Sequence, residues 1–520
     1  MTDLSDPGAR PPLDLTAQEP IPPAGVQAAL AVMASGKLHR YGETGPKPGE
    51  VSLLEAEFAR HTGRRYCVAL NSCGSAMFVA LKALRVGPGD AVLANAFTLA
   101  PVPGAIVHTG AQPVLVDITD HYTIDLDDLA RKAADSGARV LLLSHMRGHI
   151  ADMARVIARC RDLGLTLVED CAHTMGAGWD GRLTGTFGVA GCFSLQSYKH
   201  ANAGEGGLLV TDDADLAAQA ILMSGSYALY GAHLARPDEA VLARWAPVTP
   251  NFSLRMSNLA AAVARPQLDA ALRERGARWN QRYRWLVQGL AGTPGLTVPA
   301  RDPREQFIAS SLQFSLSLPA EVIARFVSAA SRRGVHMKWF GAAQPVGFTS
   351  VWRHWQFLDR PQHLPCAERV LAGLCDLRLP LTLSEDDCRR IAADLRAALS
   401  EARAAPTMRE AAADVPPLPG ERRALSVERC ESHAASRTPP VAHFNHALSI
   451  ACCRSPAASH HRTPHHAQES SHEARQVSAH PHHARAHAAG ENGAPDRRAG
   501  RPHAVDQARR LHRAGYRRQQ

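Results

Sequence analysis

The stretch FSLQSYKHANAGEGG, Phe193 to Gly207, holds one of the six lysines in a chain of 520 residues. It follows an apolar run, and five residues beyond Lys199 the chain reads Gly-Glu-Gly-Gly. A lone lysine at a strand end is ordinarily a solvated amine. Whether Lys199 is more than that depends on what the rest of the chain brings to it.

Around this stretch, from 65 to 223, short apolar runs alternate with helical patterns. The runs are YCVAL (66–70), AVLANA (91–96), PVLVDI (113–118), RVLLLSH (139–145), LTLVED (165–170), GCFSLQ (191–196) and GLLVTD (207–212). Plausible helices lie between them at 76–85, 125–135 and 150–163. Continuous apolar strands alternating with helices predict an α/β fold, with a mainly parallel sheet covered on both faces. The pattern changes after about 265. A long helix (266–291) leads to strands near 311–317 and 335–340, and then to LSEDDCRRIAADLRAALS, where Ser384 and Asp387 form a capping box. The expected organisation is a flexible N-terminus (1–24), a large domain (25–265), a smaller α+β domain (266–402) and a tail (403–520).

The tail holds 14 of the 26 histidines and few aliphatics. It buries too little apolar surface to offset its ordering entropy, so disorder is expected. Its paired histidines (460–461, 465–466, 482–483) could bind metal opportunistically, and simple disorder is the preferred reading. Of the net charge of +9, an excess of seven falls beyond residue 400. The folded part is therefore near neutral and lacks the basic face of a nucleic-acid binder. No run of about 18 apolar residues suggests a membrane span. The opening MTDLSDPGARPPLDL has no apolar core of a secretory signal. The eleven cysteines show no zinc-like pairing, so buried thiols in a cytoplasmic protein without a structural metal are expected.

Four features fall at the ends of the apolar strands. NSCGSAM (71–77) runs through Gly74, Ser75 and Ala76 into a helix, whose free amides favour a phosphate; a merely steric need for small residues is the alternative. VEDCAH (168–173) puts Asp170 at the carboxyl end of a strand, where open α/β sheets bind ligands. That carboxylate needs a cationic partner such as a protonated pyridine nitrogen, or else it caps the next helix. FTLAP (97–101) offers Phe97 for stacking on a flat heterocycle or for core packing. Lys199, beside Ser194, is a candidate Schiff-base amine for an aldehyde cofactor.

In this order and spacing the chain resembles the pyridoxal-phosphate-dependent sugar aminotransferases of the DegT/DnrJ/StrS family, of fold type I. The resemblance covers about residues 25–400. It rests on NSCGSA, GPGDAVLANAFTLAPVPGAIVHTGAQPVLVDI, ADMARVIARCRDLGLTLVEDCAHTMGA, GTFGVAGCFSLQSYKHANAGEGGLLVTDD, NFSLRMSNLAAAVARPQL and LRLPLTLSEDDCRRI. It implies that Lys199 is the Schiff-base lysine and proton shuttle and that Asp170 pairs with the pyridinium nitrogen. Phe97 would stack on the ring, His173 would approach its 3-hydroxyl oxygen, and Gly74, Ser75 and Ser194 would hold the phosphate. Asn251 matches an asparagine that reaches a neighbouring subunit's phosphate, which implies a homodimer with shared sites. The implied reaction moves an amine from glutamate or glutamine to a keto-sugar, often nucleotide-linked.

The chain departs from the family where HMRGH (145–149) replaces an H-L-Y-G-like segment, and again in KWFGAAQPVGF (338–348). Arg147, His149 and Lys338 are therefore candidate substrate residues, with local structural roles as the alternative. Three competing readings remain: a sugar dehydratase or deoxygenase, a non-catalytic regulatory protein of the same fold, and a nucleic-acid-binding protein acting through the tail. Family members with dehydratase activity carry His at the Schiff-base position, so Lys199 argues against that reading, and the adjacent His200 is left without a role.

Overall fold

The computed structural model describes residues 13–42, 48–226, 229–345, 351–358 and 361–404. These belong to one compact unit, Met1–Arg422. The expected tail from 405 onward lies outside the described residues, while the helix Glu385–Ala404 carries the chain to its last described residue.

A seven-stranded sheet organises the first half. Its spatial order is Tyr66–Leu70, Gly207–Thr211, Ala190–Ser194, Thr166–Asp170, Val140–Ser144, Ala91–Asn95, Gln112–Val116. Gly207–Thr211 runs antiparallel to both neighbours, and every other pairing is parallel. Four of the strands are buried at every residue, as continuous apolar runs require when helices cover both faces. Alternate side chains enter separate cores. Val92, Ala94, Val140 and Leu142 pack in one cluster with the helices Cys73–Ala83 and Ala214–Ser224. Leu93, Leu141 and Leu143 pack in another with Leu126–Ser136 and Met153–Asp162.

A second, antiparallel sheet has the order Leu296–Thr297, Ser311–Leu316, Leu374–Arg378, Lys338–Trp339. Helices Ala270–Leu290, Ala320–Arg332 and Glu385–Ala404 pack with it. One apolar cluster runs from Leu141 of the large sheet through Trp279 to Phe314 and Phe326 beside the small sheet, so the two sheets share a core. Ser384 and Asp387 cap the last helix reciprocally: Asp387 N–H donates to Ser384 Oγ at 3.1 Å, and Ser384 N–H to Asp387 Oδ2 at 2.9 Å. Among the described residues no helix is long and apolar enough to cross a membrane. The eight described cysteines are all free, and seven of them are buried.

Candidate active site

Three parallel strands end in polar residues that meet side by side. Asn95, Ser144 and Asp170 are the last residues of Ala91–Asn95, Val140–Ser144 and Thr166–Asp170, and Ser144 lies in register with Asp170. Ser144 Oγ donates to Asp170 Oδ2 at 2.7 Å, and the Ala172 N–H to Oδ1 at 3.1 Å. Asn95 fixes Ser144 in turn, accepting its N–H at 2.8 Å and donating to its carbonyl at 3.1 Å. Asp170 is thus a buried carboxylate held by neutral donors, with 5% of its surface exposed. A buried anion held this way favours a cation brought to it.

The preceding residue, Glu169, points to the other side of the strand. Its oxygens accept the N–H groups of Gly185, Phe187 and Gly188 and a bond from His145 Nε2 at 3.1 Å. Although Cys171 completes a group of three potential metal ligands with His145 and Glu169, the carboxylate is already saturated. Its work is to tie the 185–188 loop to the strand.

Asp170 lines a cavity of about 450 Å³ together with Gly74, His173, Ser194, Arg147 and Lys199. Lys199 Nζ lies 2.7 Å from His173 Nε2. Burial, aided by the nearby Arg147 charge and opposed by Asp170, lowers the Lys199 pKa from 10.5 to about 8. By that value about 10% of the amine is neutral at pH 7. Burial and the Lys199 charge hold His173 well below its ordinary value, so its imidazole is neutral. A neutral imidazole beside a partly neutral amine suits Lys199 as a nucleophile.

Gly74 stands at the start of the helix Cys73–Ala83, which Ser72 caps by accepting the Ser75 N–H at 3.0 Å. The GEGG turn explains itself here. A Cβ on Gly207 would overlap the Ser72 carbonyl and stand 2.5 Å from the Cys73 nitrogen. Gly204 has φ 79°, a left-handed conformation natural to glycine. Strand and helix end can therefore meet at the cavity wall with no side chain between them.

Not every expected residue reaches the cavity. Ser75 uses its hydroxyl locally, donating to Asn71 Oδ1 at 2.6 Å, and it does not line the cavity. The stacking role expected of Phe97 is not supported by its position. Phe97 is fully buried in the core, edge-on to Phe340 at 5.3 Å and Tyr122 at 6.0 Å, while Leu99 faces the cavity. Asn95 Nδ2 donates to the Phe97 carbonyl at 2.9 Å and curls the chain beyond the strand end, which separates the two residues. Asn251 is exposed, accepts the Ser253 N–H at 2.9 Å, and lies away from this chain's cavity.

The three candidate substrate residues form one polar chain. Arg147 Nη2 pairs with Asp376 Oδ2 at 2.7 Å; Gln313 Nε2 donates to Asp376 Oδ1 at 2.7 Å; and His149 Nε2 is 2.9 Å from Gln313 Oε1. Lys338 lies opposite Asp376 in the small sheet. Of the three, only Arg147 lines the cavity. Arg147 takes a left-handed φ of 54°, and its ion pair to the small sheet helps hold that uncommon conformation.

His200, beside Lys199 in sequence, is buried edge-on to Trp279 at 5.2 Å. Burial lowers its pKa to about 3, and among the described residues neither ring nitrogen has a hydrogen-bond partner. It is a neutral core residue behind Lys199. Sequence reasoning also missed Leu15, Gln18 and Glu19 from the N-terminal segment, and Tyr198 and Arg378, all of which line the cavity. No local pattern marks them, because each arrives from a distant part of the chain or from irregular backbone.

Comparison with known proteins agrees with this geometry. The chain is 33% identical over 280 residues to the spore coat polysaccharide biosynthesis protein SpsC of Bacillus subtilis, covering 53% of this chain and 68% of that protein. It is 40% identical over 164 residues to L-glutamine:scyllo-inosose aminotransferase of Streptomyces griseus, covering 31% and 38%. The match thus spans well under half of that second protein. The solved structure of the aminotransferase TlmJ from Streptoalloteichus hindustanus matches with a TM-score of 0.63 at 25% identity, over 74% of this chain and 99% of that one. The family's aminotransferases use pyridoxal phosphate, and the residues present fit it: a buried carboxylate for a ring cation, a helix start with Gly74 for a phosphate, and a lysine of lowered pKa. Residues 24–396 match the model of the DegT/DnrJ/EryC1/StrS aminotransferase family, and the chain belongs to that family.

Proposed function

We propose that this transaminase moves an amino group from glutamate or glutamine to a keto-sugar or related cyclic ketone, possibly nucleotide-linked, in the biosynthesis of polysaccharides or secondary metabolites. The observation that carries the reading is Lys199 itself: an amine with its pKa lowered to about 8, 2.7 Å from a neutral His173, in one cavity with Asp170. The names of relatives supply the substrate classes: a glutamine-dependent inosose aminotransferase and a polysaccharide biosynthesis protein.

Bound pyridoxal phosphate supplies an electron sink that withdraws electrons from the donor Cα. The chain's own residues do the rest. Asp170 holds a proton on the ring nitrogen, and Ser144 keeps that carboxylate oriented. Gly74 at the helix start and Ser194 take the phosphate. Lys199 Nζ removes the proton from the donor Cα, and His173 Nε2 positions that amine between turnovers. The roles that the family resemblance implies for Ser75, Phe97 and Asn251, and the substrate contacts suggested for Arg147, His149 and Lys338 where the chain departs from the family, stay proposals. Leu99, which lines the cavity where Phe97 does not, would stand beside the ring in place of Phe97.

The enzyme works as a homodimer in this reading. Val26, Leu30 and Met33 expose an apolar stripe at i, i+4 and i+7 on the helix Pro23–Ser35, and Asn251 is exposed, as a residue serving a partner's site would be. The division into a large domain (25–265) and a small one (266–402) is supported by the seven-stranded and four-stranded sheets, which fall on either side of that boundary and share one core, and a cytoplasmic location by the free thiols of the described residues.

Half-reaction spectroscopy tests the function. Glutamate or glutamine is expected to convert the cofactor's visible band to that of the amine form, and a keto-sugar to restore it. A cofactor-loaded protein that no amino acid converts would falsify the aminotransferase reading.

A further inference from the structure

The chain enters the fold through an irregular segment, residues 13–22, ahead of the helix Pro23–Ser35. Leu15, Ala17, Gln18 and Glu19 of this segment line the same cavity as Lys199. The segment holds its own shape. Asp14 Oδ1 accepts the Thr16 N–H at 2.8 Å and the Thr16 hydroxyl at 2.7 Å, and the Asp14 carbonyl accepts the Ala17 N–H at 3.3 Å. Two anchors then fix it to the body. Leu15 is buried in the core cluster that also contains Trp279. The Glu19 carboxylate pairs with Arg278 and lies 3.9 Å from Arg275 Nε, both on the helix Ala270–Leu290. From the same helix Arg278 and Arg282 donate to the Leu381 carbonyl, at 3.4 and 2.6 Å, and Leu381 lines the cavity as well. Segment, helix and the chain beyond the strand Leu374–Arg378 therefore form one wall.

Gln18 is the member of this wall with hydrogen-bonding capacity to spare. Its side chain is exposed, and Nε2 donates to the Thr16 carbonyl at 3.2 Å. A primary amide has a second N–H and an oxygen with two lone pairs, and both remain for a ligand in the cavity.

We propose that Gln18 is a specificity residue for the ketone substrate, reading a ring hydroxyl of a neutral, polyhydroxylated ketone, and that Glu19 is the positioning residue that holds it there. The inference rests on the transaminase reading above and narrows its amino acceptor. An amide donates and accepts, as a hydroxyl does, so the two satisfy each other in either sense. The amide brings no charge to a phosphate or carboxylate, and the Glu19 carboxylate next to it disfavours an anion. Arg275, the cation contributed by this wall, is committed to Gln267 Oε1 at 2.7 Å and to Glu19. Leu15 and Leu381 add an apolar surface suited to the C–H face of a ring whose hydroxyls point outward from its edge. Glutamate has no hydroxyl for Gln18 to read, so this wall serves the second half of the reaction.

The test compares wild-type, Gln18→Ala, Gln18→Glu and Glu19→Gln holoenzymes in the two half-reactions followed by the cofactor's visible band. Glutamate and glutamine are the donors, and scyllo-inosose, a neutral and fully hydroxylated ring ketone, is the amino acceptor. Gln18→Ala is expected to raise the scyllo-inosose KM by about 3- to 10-fold, the worth of a neutral hydrogen bond, with kcat and both donor KM values changed far less. Glu19→Gln, which releases the segment from Arg278, gives the same pattern. Gln18→Glu keeps an oxygen at the same reach and regains part of the affinity, which a purely structural role would not give. An unchanged scyllo-inosose KM in folded Gln18→Ala would overturn the proposal. So would an equal rise in the donor KM values, or a loss of cofactor affinity by equilibrium dialysis, since Gln18 would then support the wall as a whole. A wild type that a donor converts and scyllo-inosose does not restore removes this inference alone. A wild type that no amino acid converts removes the transaminase reading itself.

Discussion

Replacing Lys199 with Met tests the electrostatics of the site without any turnover. In the cofactor-free protein the Lys199 pKa is lowered from 10.5 to about 8, first by burial and then by Arg147. A depressed lysine costs stability while it is charged. The full cost, about 3 kcal/mol, is present below pH 8, fades as the pH rises from 8 to 10.5, and is gone above that. The sign follows because the unfolded chain binds more protons than the folded one inside that window. Met removes the charge and also the 2.7 Å bond to His173, whose net worth is about 1 kcal/mol. Lys199→Met is therefore expected to stabilise the cofactor-free protein by about 2 kcal/mol at pH 7 and by well under about 1 kcal/mol at pH 9.5. Urea unfolding at the two pH values, followed by circular dichroism, measures the difference. A variant less stable than wild type at pH 7, or a gain that does not shrink with pH, refutes the reasoning.

Two further substitutions probe the site's frame. Asp170→Asn keeps the shape but removes the charge that Ser144 and the Ala172 amide support. Cofactor affinity measured by equilibrium dialysis is expected to fall by about 10- to 100-fold, the worth of one charge-assisted bond. Gly207→Ala drives a methyl group into the backbone of Ser72 and Cys73, so a loss of about 1–3 kcal/mol of stability is expected by urea unfolding, together with weakened phosphate binding at Gly74. Gly204→Ala, where a Cβ meets nothing within 4 Å, is expected to cost about 1 kcal/mol from its positive φ alone.

Much of this was legible in the chain. The apolar runs place the large-sheet strands to within one or two residues, since a strand buried on both faces has to be apolar throughout. Gly74, Asp170 and Ser194, which line the cavity, could be picked out as candidates because they stand where strands end or a helix begins, and such ends are where open sheets bind ligands. That Leu99 and not Phe97 faces the cavity was not legible. Beyond Asn95 the backbone is irregular, the period that tells inside from outside is lost, and a bond from Asn95 decides which side chain turns to the cavity.

By itself, the sequence determined the α/β layering, the order of the strands in the chain, and Lys199 and Asp170 as candidate site residues, which the structure places in one cavity. These follow from periodicity and from residues near one another in the chain. Only the tertiary structure decided that Arg147 is joined to Asp376, that His149 rests on Gln313, and that Arg378 stacks on Tyr198. Those contacts join residues more than 160 positions apart. No local pattern encodes them, because they arise when the two sheets close on a shared core.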